Sequence, residues 1–553
     1  MRRSGWFALI SIISFSVLIS TIPLFEYTLW GMDCGEYIYY THRWVDTGGA
    51  YLSIDGWGKA YPFFPGLFIL GGGFHLLSGV DLVHSMVFVP VVFSALSPLF
   101  VFLIVKKVMD DWRPAILSAF FFTVLPPLIY GYSHPRPETL GFFFMLLILS
   151  LTLCTLDSRV KKILPLFVVL SSLIITHHFS TYFLILFFFG GIYVSKIWRK
   201  EEREEDTFRT RLLLIMMVTT FAYWIFYSVP FGQRRIKDAL IFPSYTVLVV
   251  PFILLILSEF LVRFRRNIDF FVPINFHKES LRSFLFFSSL ALLVTVPLMI
   301  SVALGTLPVR QIELGSTVFL YLPIVVLSLF ALGSRKIIKT VEEGPTIIGW
   351  FSFVIFSITI GFVFDSSSLL PMRQFTFLLF TVSLLFGIGL FHFENIIFNP
   401  IDSKRKTLVL GVFVILLSSF LVPLSYPSQE RAGGFTEGIE SEDMEVAFWA
   451  KHSTERRIAT DHRMSNALFS VGNDNLTWRD GHDMYFSSDL DRALDDLESN
   501  NVSYILWDEE MEKGAAIELG RNPRPLNPDL VEKYHESFEL IYMSEECVVY
   551  AVP

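Results

Sequence analysis

Two acidic residues, Asp33 and Glu36, follow the first apolar segment of the chain directly, in the stretch GMDCGEYIYYTHRW. Charged groups beside hydrocarbon are costly, and they are retained where chemistry or ion handling requires them. A carboxylate can accept a proton as a general base, or it can bind a divalent cation. The stretch therefore marks a candidate reaction site at the end of a membrane helix.

Histidines, arginines and a further carboxylate occur in loops between later apolar segments, in YGYSHPRPET, ITHHFSTY, FGQRRIKD and DSSSLLPMRQF. Arginine suits phosphate because of its charge and its planar fork of donors. Together these residues predict a lipid-linked phosphate substrate that is attacked with general-base assistance. The candidate set, in chain order, is Asp33, Glu36, Lys59, His134, Arg136, Glu138, His177, His178, Arg234, Arg235 and Arg373.

The composition places these loops in a polytopic membrane protein. Of the 553 residues, 53% are hydrophobic and only 17% are charged, whereas about a quarter of a soluble domain is charged. Apolar runs of roughly 20 residues predict membrane helices. We predict thirteen spans, near 6–25, 83–105, 115–131, 139–156, 161–176, 179–195, 211–230, 244–262, 283–304, 316–333, 346–364, 374–391 and 407–425.

The basic residues of the connecting loops predict the orientation of the chain. One alternating set of loops holds 25 Lys and Arg residues and the opposite set holds 8. Because cytoplasmic loops carry the basic excess, the N-terminus is predicted to be cytoplasmic and the chain after the thirteenth span to be extracytoplasmic. All the candidate residues then lie on the extracytoplasmic face.

The apolar segment 59–79, KAYPFFPGLFILGGGFHLLSG, tests this count. If it spanned the membrane, every later loop would change sides and the basic excess would be inverted. Its prolines, its glycine run and its shortness fit a segment that lies on the membrane or re-enters it. We therefore include it in a first external loop, 26–82.

Residues 426–553 are predicted to form a small α/β domain outside the membrane, after a transmembrane domain of residues 1–425. The charge of this segment is −16 and that of the preceding part is +8. An acidic segment is a poor binder of nucleic acid, because phosphate contacts need cations. Helices are predicted at 442–453, in MSNALFSVG and at 489–500, and strands in RRIATDH, NVSYILWD, FELIYMS and CVVYAV.

The segment from Asp33 to Lys107 resembles the start of the GT-C membrane glycosyltransferases, which include protein O-mannosyltransferases, lipid A aminoarabinose transferases and oligosaccharyltransferase catalytic subunits. The resemblance rests on D-C-G-E-Y at 33–37, the glycines at 48–49, the proline-containing segment 59–79 and the basic end of the second span. HPRPETLGFFFMLL resembles the second acidic loop of the family, with Glu138 as the matching carboxylate. The sequence lacks WWDYG, with which oligosaccharyltransferases recognise their acceptor, and this departure argues against N-glycosylation.

The resemblance implies a role for several candidates, and each has a structural alternative. Asp33 resembles the catalytic base, with Glu36 and Glu138 assisting, although Asp33 also fits a helix cap or a solvated loop residue. Arg373 is the best single phosphate ligand, and Arg234, Arg235, Lys59 and Arg136 compete with it or anchor helix ends. His134, His177 and His178 are candidate sugar contacts. Asp33 and Glu138 allow a divalent cation, Mg²⁺ or Mn²⁺, without requiring one.

The sequence thus predicts a GT-C-like α-helical membrane glycosyltransferase of about 13 spans, inverting and extracytoplasmic. Its partners are a polyprenyl-phosphate sugar donor, membrane lipid and an acceptor that is a protein, lipid or glycan. The alternative is a multi-pass transporter or lipid flippase. Transporters place ionisable groups at mid-membrane on broken helices in repeated halves, whereas here the charges lie at predicted helix ends.

Overall fold

The computed structural model of the chain describes residues 3–31, 33–49, 61–153, 159–198, 204–229, 341, 343–363, 371–397, 412, 416, 418–419, 421–426, 438–478, 485, 489–512, 526 and 528–552. The predicted spans 244–262, 283–304 and 316–333 lie outside these residues, as does most of 407–425. The predicted total of thirteen spans therefore stays a prediction.

The N-terminal part is helical. Its helices are α1 (Arg3–Ser20), α2 (Cys34–Asp46), α3 (Gly66–Ser78), α4 (Leu82–Ala95), α5 (Ser97–Met109), α6 (Trp112–Val124), α7 (Pro126–Ser133), α8 (Pro137–Leu153), α9 (Arg159–Thr176), α10 (His178–Trp198), α11 (Glu204–Ala222), α12 (Gly344–Val363) and α13 (Pro371–Ile397). Four stretches of the described residues are long and apolar enough to cross a membrane, namely Leu82–Met109, His178–Lys196, Glu205–Tyr227 and Gln374–Phe391.

The span predicted at 115–131 is bent rather than continuous. It consists of α6 and α7, whose axes meet at 64°. The bend lies at Leu125, which has an extended backbone conformation, and Pro126 follows it. A proline lacks the amide donor of a helix interior, and its ring disfavours a helical residue before it, so the helix stops and restarts in a new direction.

The segment 59–79 contains α3, which has 13 residues and ends at Gly79, with φ +73°. A helix of this length rises about 20 Å, whereas the hydrocarbon core of a bilayer is about 30 Å thick. One helix of this length is too short for a full span, but the membrane-lying or re-entrant position of the segment stays a prediction. Leu76 and Leu77 stay exposed on α3, which leaves an apolar surface of the kind that an interfacial helix presents to lipid.

Small residues let the long helices approach closely. Gly190 on α10 faces Gly349 on α12, and a Cβ on Gly190 would lie 2.8 Å from the Gly349 carbonyl carbon. Close backbone approach through small residues is a common means of packing membrane helices. Aromatic rings also pack between the long helices; those of Phe183 on α10 and Phe377 on α13 are stacked 4.0 Å apart.

The C-terminal part combines helices with a five-stranded mixed sheet of order β4-β3-β5-β7-β6. Its elements are β2 (Gly438–Ile439), α14 (Ser441–Ser453), β3 (Arg457–Ala459), α15 (His462–Ser470), β4 (Leu476–Thr477), α16 (Leu490–Ser499), β5 (Val502–Asp508), α17 (Pro528–Ser537), β6 (Glu539–Met543) and β7 (Cys547–Ala551). The predicted helices and strands, including the β6–β7 hairpin, are confirmed. The sequence analysis missed β2, β4 and α17.

The two parts are joined by a strand pair and a helix pair. Strand β1 (Leu29–Trp30) pairs antiparallel with β2, and Leu29 faces Ile439. Helix α2 packs against α15, and one continuous set of buried side chains includes Ile38 of α2 and Leu468 of α15. The segment that carries Asp33 is therefore held between the N-terminal helices and α15 of the C-terminal part.

Candidate functional site

Asp33 occupies the residue before α2, where a side chain would ordinarily cap the helix. Its carboxylate makes no such bond to the helix amides. The side chain is 29% exposed, and its Oδ1 atom lies 3.8 Å from Nε2 of His462, which is buried at the start of α15. That distance exceeds a hydrogen bond, so the imidazole is a neighbour of the carboxylate rather than its direct donor.

The amides at the start of α2 are capped by the C-terminal part instead. Oδ1 of Asn466 accepts from the backbone N–H of Gly35 at 3.1 Å and from that of Glu36 at 3.4 Å. This approach requires glycine at position 35, because a Cβ there would lie 2.6 Å from Cα of Asn466 and would overlap its carbonyl group. Of the structural alternatives for Asp33, the helix cap therefore does not apply.

Glu36 lies in the first turn of α2 and is only 2% exposed. A carboxylate in the first turn is favoured by the helix dipole. Asp33 precedes the helix, whereas Glu36 is inside it. The two predicted acidic residues therefore differ in setting, with one partly open to solvent and the other enclosed.

The loop that carries Glu138 lies against the residues just before Asp33. Nε1 of Trp30 donates to Oγ of Ser133 at 3.1 Å, and the Trp30 ring lies 5.8 Å from that of His134. Gly31, with φ +112°, brings the backbone against the His134 ring. Because of these contacts, the two acidic loops predicted from separate parts of the sequence meet at one end of the helices.

Within that loop, Arg136 forms a long ion pair with Glu138, with Nε and Oε2 4.0 Å apart. Glu138 follows Pro137 in the first turn of α8 and is largely buried. Nδ1 of His134 lies 2.5 Å from the Tyr130 carbonyl oxygen, so it donates there and its tautomer is fixed. A phosphate group that approached Arg136 would compete with Glu138 for the guanidinium.

The histidine pair lies between α9 and α10, with the rings 5.2 Å apart. Nδ1 of His177 accepts from the Ser180 amide at 3.2 Å, which makes this side chain a cap of α10. Its Cβ fits against Gly141, one turn after Glu138 on α8. The ring of His178 lies 5.2 Å from that of Phe64. The pair therefore packs beside the Glu138 helix, and its role in binding sugar stays a prediction.

The remaining predicted ligands are not described in full. Lys59, Arg234 and Arg235 lie outside the described residues, and Arg373 is described only as a backbone position in the first turn of α13. In the described part of the chain, no three His, Cys, Asp or Glu side chains come together as metal ligands. Two carboxylates are fewer ligands than a magnesium or calcium site normally uses. The divalent site of Asp33 and Glu138 therefore stays a prediction.

His462 and Asn466, which contact the Asp33 segment, were missed by the sequence analysis. They are four residues apart on α15 and share one face of that helix. The sequence predicts a helix here from MSNALFSVG, but local spacing carries no signal for a contact with residues more than 400 positions earlier. The sequence signal that could have indicated a function is the presence of the polar residues His462 and Asn466 on one face of this helix.

Comparison with solved structures finds the oligosaccharyltransferase of Archaeoglobus fulgidus, at a TM-score of 0.55 in its apo form and 0.58 tethered with an acceptor peptide containing the NVT sequon. The identities are 13% and 11%, and the matches cover 91% and 92% of this chain and 70% of that protein. The chain has the GT-C fold. The arabinofuranosyltransferase AftD from Mycobacteria shares it at a TM-score of 0.51 and 13% identity, over 100% of this chain and 40% of that one.

No family profile and no curated protein matches the sequence. The predicted GT-C resemblance is nevertheless confirmed at the level of the fold, and it extends well beyond Asp33 to Lys107 and HPRPETLGFFFMLL, the segments that carried it. A GT-C fold, together with the four apolar spans of the described residues, makes the chain a multi-pass membrane protein.

Proposed function

We propose that the protein is a membrane glycosyltransferase that transfers a sugar from a polyprenyl-phosphate-linked donor to an acceptor hydroxyl at the extracytoplasmic face. The observation that carries the proposal is the setting of Asp33. Its carboxylate is partly exposed, makes no bond to its own helix, and lies where the Glu138 loop, α2 and α15 meet. A general base needs such a carboxylate, accessible and not already committed to a donor.

In the proposed reaction, Asp33 accepts the proton of the acceptor hydroxyl as its oxygen attacks the anomeric carbon. The bond between that carbon and the phosphate oxygen breaks, and the polyprenyl phosphate leaves with the bonding electron pair. Direct displacement inverts the anomeric centre. Arg136 is the proposed phosphate ligand on the loop that meets the Asp33 segment, and its long pair with Glu138 would yield to the phosphate.

The acceptor is proposed only by class, as a protein, lipid or glycan hydroxyl. The tethered peptide belongs to the Archaeoglobus protein, and this sequence lacks the WWDYG motif. A transporter is the second candidate. It is disfavoured because the described candidate charges lie before or in the first turns of α2 and α8, and not at mid-membrane.

The test is sugar transfer by the purified protein from radiolabelled polyprenyl-phosphate sugars to membrane extract. Asp33→Asn should lower the rate by at least about 100-fold, since a general base contributes about 10² to 10⁴. Asp46→Asn is the matched control, because Asp46 is an exposed carboxylate at the other end of the same helix. Equal losses in both variants, or transfer unaffected in Asp33→Asn, would exclude Asp33 as the base. Lipid or sugar flux in liposomes without transfer would favour the transporter.

A further inference from the structure

The first amides of α2 are capped by a side chain of another helix, α15, and not by the residue before α2. This arrangement leaves the Asp33 carboxylate without its ordinary capping role. A helix leaves its first amides without partners inside the helix, and a side-chain oxygen of the preceding residue usually accepts from one of them. Asp33 stands at that position and is one of the residue types that favour it. The acceptor is nevertheless Asn466 of α15, which reaches the amides of Gly35 and Glu36.

The orientation of the Asn466 side chain is fixed at both ends. Its Oδ1 atom faces the two amide donors of α2, and its Nδ2 atom donates to the His462 carbonyl oxygen at 2.9 Å. An amide flip would break these bonds together. The residue is also almost completely buried, so water does not compete for the amides that it occupies.

We propose that Asn466 is a positioning residue that keeps the carboxylate of Asp33 free for the reaction by taking over the cap of α2. Without it, the amides of Gly35 and Glu36 would draw Asp33 into the ordinary capping bond, and the base would be turned away from the acceptor. The C-terminal part would then be a component of the active site and not only a cover over it. This inference rests on the proposed function.

Two further observations support a specific role for the Asn466 cap. Gly35 permits it, because any side chain at that position would overlap the Asn466 backbone. One turn further along α2, the Tyr39 hydroxyl donates to Oδ2 of Asp474 at 2.5 Å, so the helix is held against the C-terminal part at a second point. Asn466 and Asp33 are therefore held at fixed positions relative to each other.

The first test measures hydrogen exchange of the α2 amides 35 and 36, and it needs no activity. Asp33→Ala should leave both amides as protected as in the wild type, because Asp33 does not cap them. Asn466→Ala should expose them only partly, because Asp33 takes the vacated amides, and the double variant should expose them fully. Loss of protection in Asp33→Ala alone would make Asp33 the cap and overturn the proposal. If Asn466→Ala fails to fold, the exchange of amides 35 and 36 in Asp33→Ala still decides the test.

The second test measures kinetics. Asn466→Ala should lower kcat by about tenfold, the size of effect expected when a cap competes for the base, with little change in the KM of the donor. Asn500→Ala is the control, since the Asn500 side chain donates to Asp496 of α16 and Asn500 follows a different helix of the C-terminal part. A raised KM with unchanged kcat would make Asn466 a substrate contact and overturn its positioning role. Absence of transfer in the wild type would overturn the proposed function, while the exchange pattern would still decide the cap.

Discussion

At the N-terminus of α2, neighbouring residues have separate tasks. Asp33 presents its carboxylate, Gly35 lets another backbone approach, and Glu36 is buried in the first turn. The three can differ because a helix end offers both free amides and a change of chain direction. From its sequence position, Asp33 would be expected to cap α2. Asn466 of α15 caps the helix instead, so the Asp33 carboxylate is not used for that bond.

Gly35→Ala should separate α2 from α15. The added Cβ would lie 2.6 Å from Cα of Asn466, a contact between two backbones that side-chain motion cannot relieve. We expect a loss of about 1–3 kcal/mol of stability, as for overpacked cores. The measurement is the thermal midpoint in detergent.

Gly73→Ala on α3 is the control, because a Cβ there meets nothing within 4 Å. Alanine favours a helix over glycine by up to about 1 kcal/mol, so this variant should be unchanged or slightly more stable. Equal midpoints for the two variants would mean that the α2–α15 contact is looser than described.

At the scale of elements, the joint between the two parts depends on a buried ionic group. Arg463 on α15 binds Asp443 through both nitrogens, at 2.7 and 3.0 Å, and Asp508 at 3.1 Å. It also donates to the Gly438 carbonyl oxygen, in the strand that pairs with β1. Burial raises the pKa of Asp508, and the Arg463 charge opposes that rise.

Arg463→Met should therefore release β2 and weaken the joint. Removing one partner of a buried ion pair costs about 3–5 kcal/mol, because the remaining charges stay buried without compensation. Acidic buffer should narrow the difference from the wild type, because burial raises the pKa of Asp508 and protonation of that carboxylate removes its charge. Arg456→Met, at an exposed arginine beside β3, is the control and should leave the thermal midpoint within error. A similar midpoint for both variants would contradict a structural role for the ionic group.

His42 makes the joint sensitive to pH. Burial and the charge of Lys451 on α14 lower its pKa below the ordinary 6.5, Asp46 and the Ser470 backbone oppose this, and His75 adds to it. When the C-terminal part is packed on α2 (the docked state), the neutral form of His42 is therefore favoured; in the undocked state α2 and the C-terminal part have separated. As the pH falls below 6.5, the undocked state takes up a proton that the docked state resists, so stability present above 6.5 is lost on acidification.

The measurement is the thermal midpoint between pH 7.5 and pH 5.5. His42→Gln should show a smaller drop than the wild type, because it removes the group that titrates. His452→Gln, at an exposed histidine of α14, should keep the full drop. A drop of the same size in His42→Gln would assign the pH dependence to another group.

The sequence predicts elements better than it predicts their contacts. The period of Leu490, Ala493, Leu494 and Leu497 was sufficient for α16, because burial of one helix face leaves a local pattern. The bend after Leu125 was missed although Pro126 marks it. Strand β1 has only two residues, and its partner is Ile439, some 400 residues away. No local sequence period records such a pairing. The Asn466 cap of α2 and the meeting of the two acidic loops could therefore be recognised only from the three-dimensional structure.

At the scale of the whole molecule, the fold and the charge pattern make a joint prediction about sidedness. The GT-C fold fixes how the helices pack, but it does not by itself orient the chain in the membrane. The basic residues of the loops do so, since 25 of them lie in one alternating set and 8 in the other. The site around Asp33 should then face outward together with the C-terminal sheet.

Cysteine labelling in intact cells or sealed vesicles tests this orientation. Cys34 and Cys547 are buried, and burial raises the pKa of the Cys547 thiol, so both should react slowly. In a Cys154→Ser background, Glu455→Cys beside β3 should react with a membrane-impermeant maleimide from outside. Lys107→Cys at the end of α5 should react only after the membrane is opened, because its loop belongs to the basic set. The reverse pattern would place Asp33 on the cytoplasmic side, and a donor displayed on the outer leaflet could then not be its substrate.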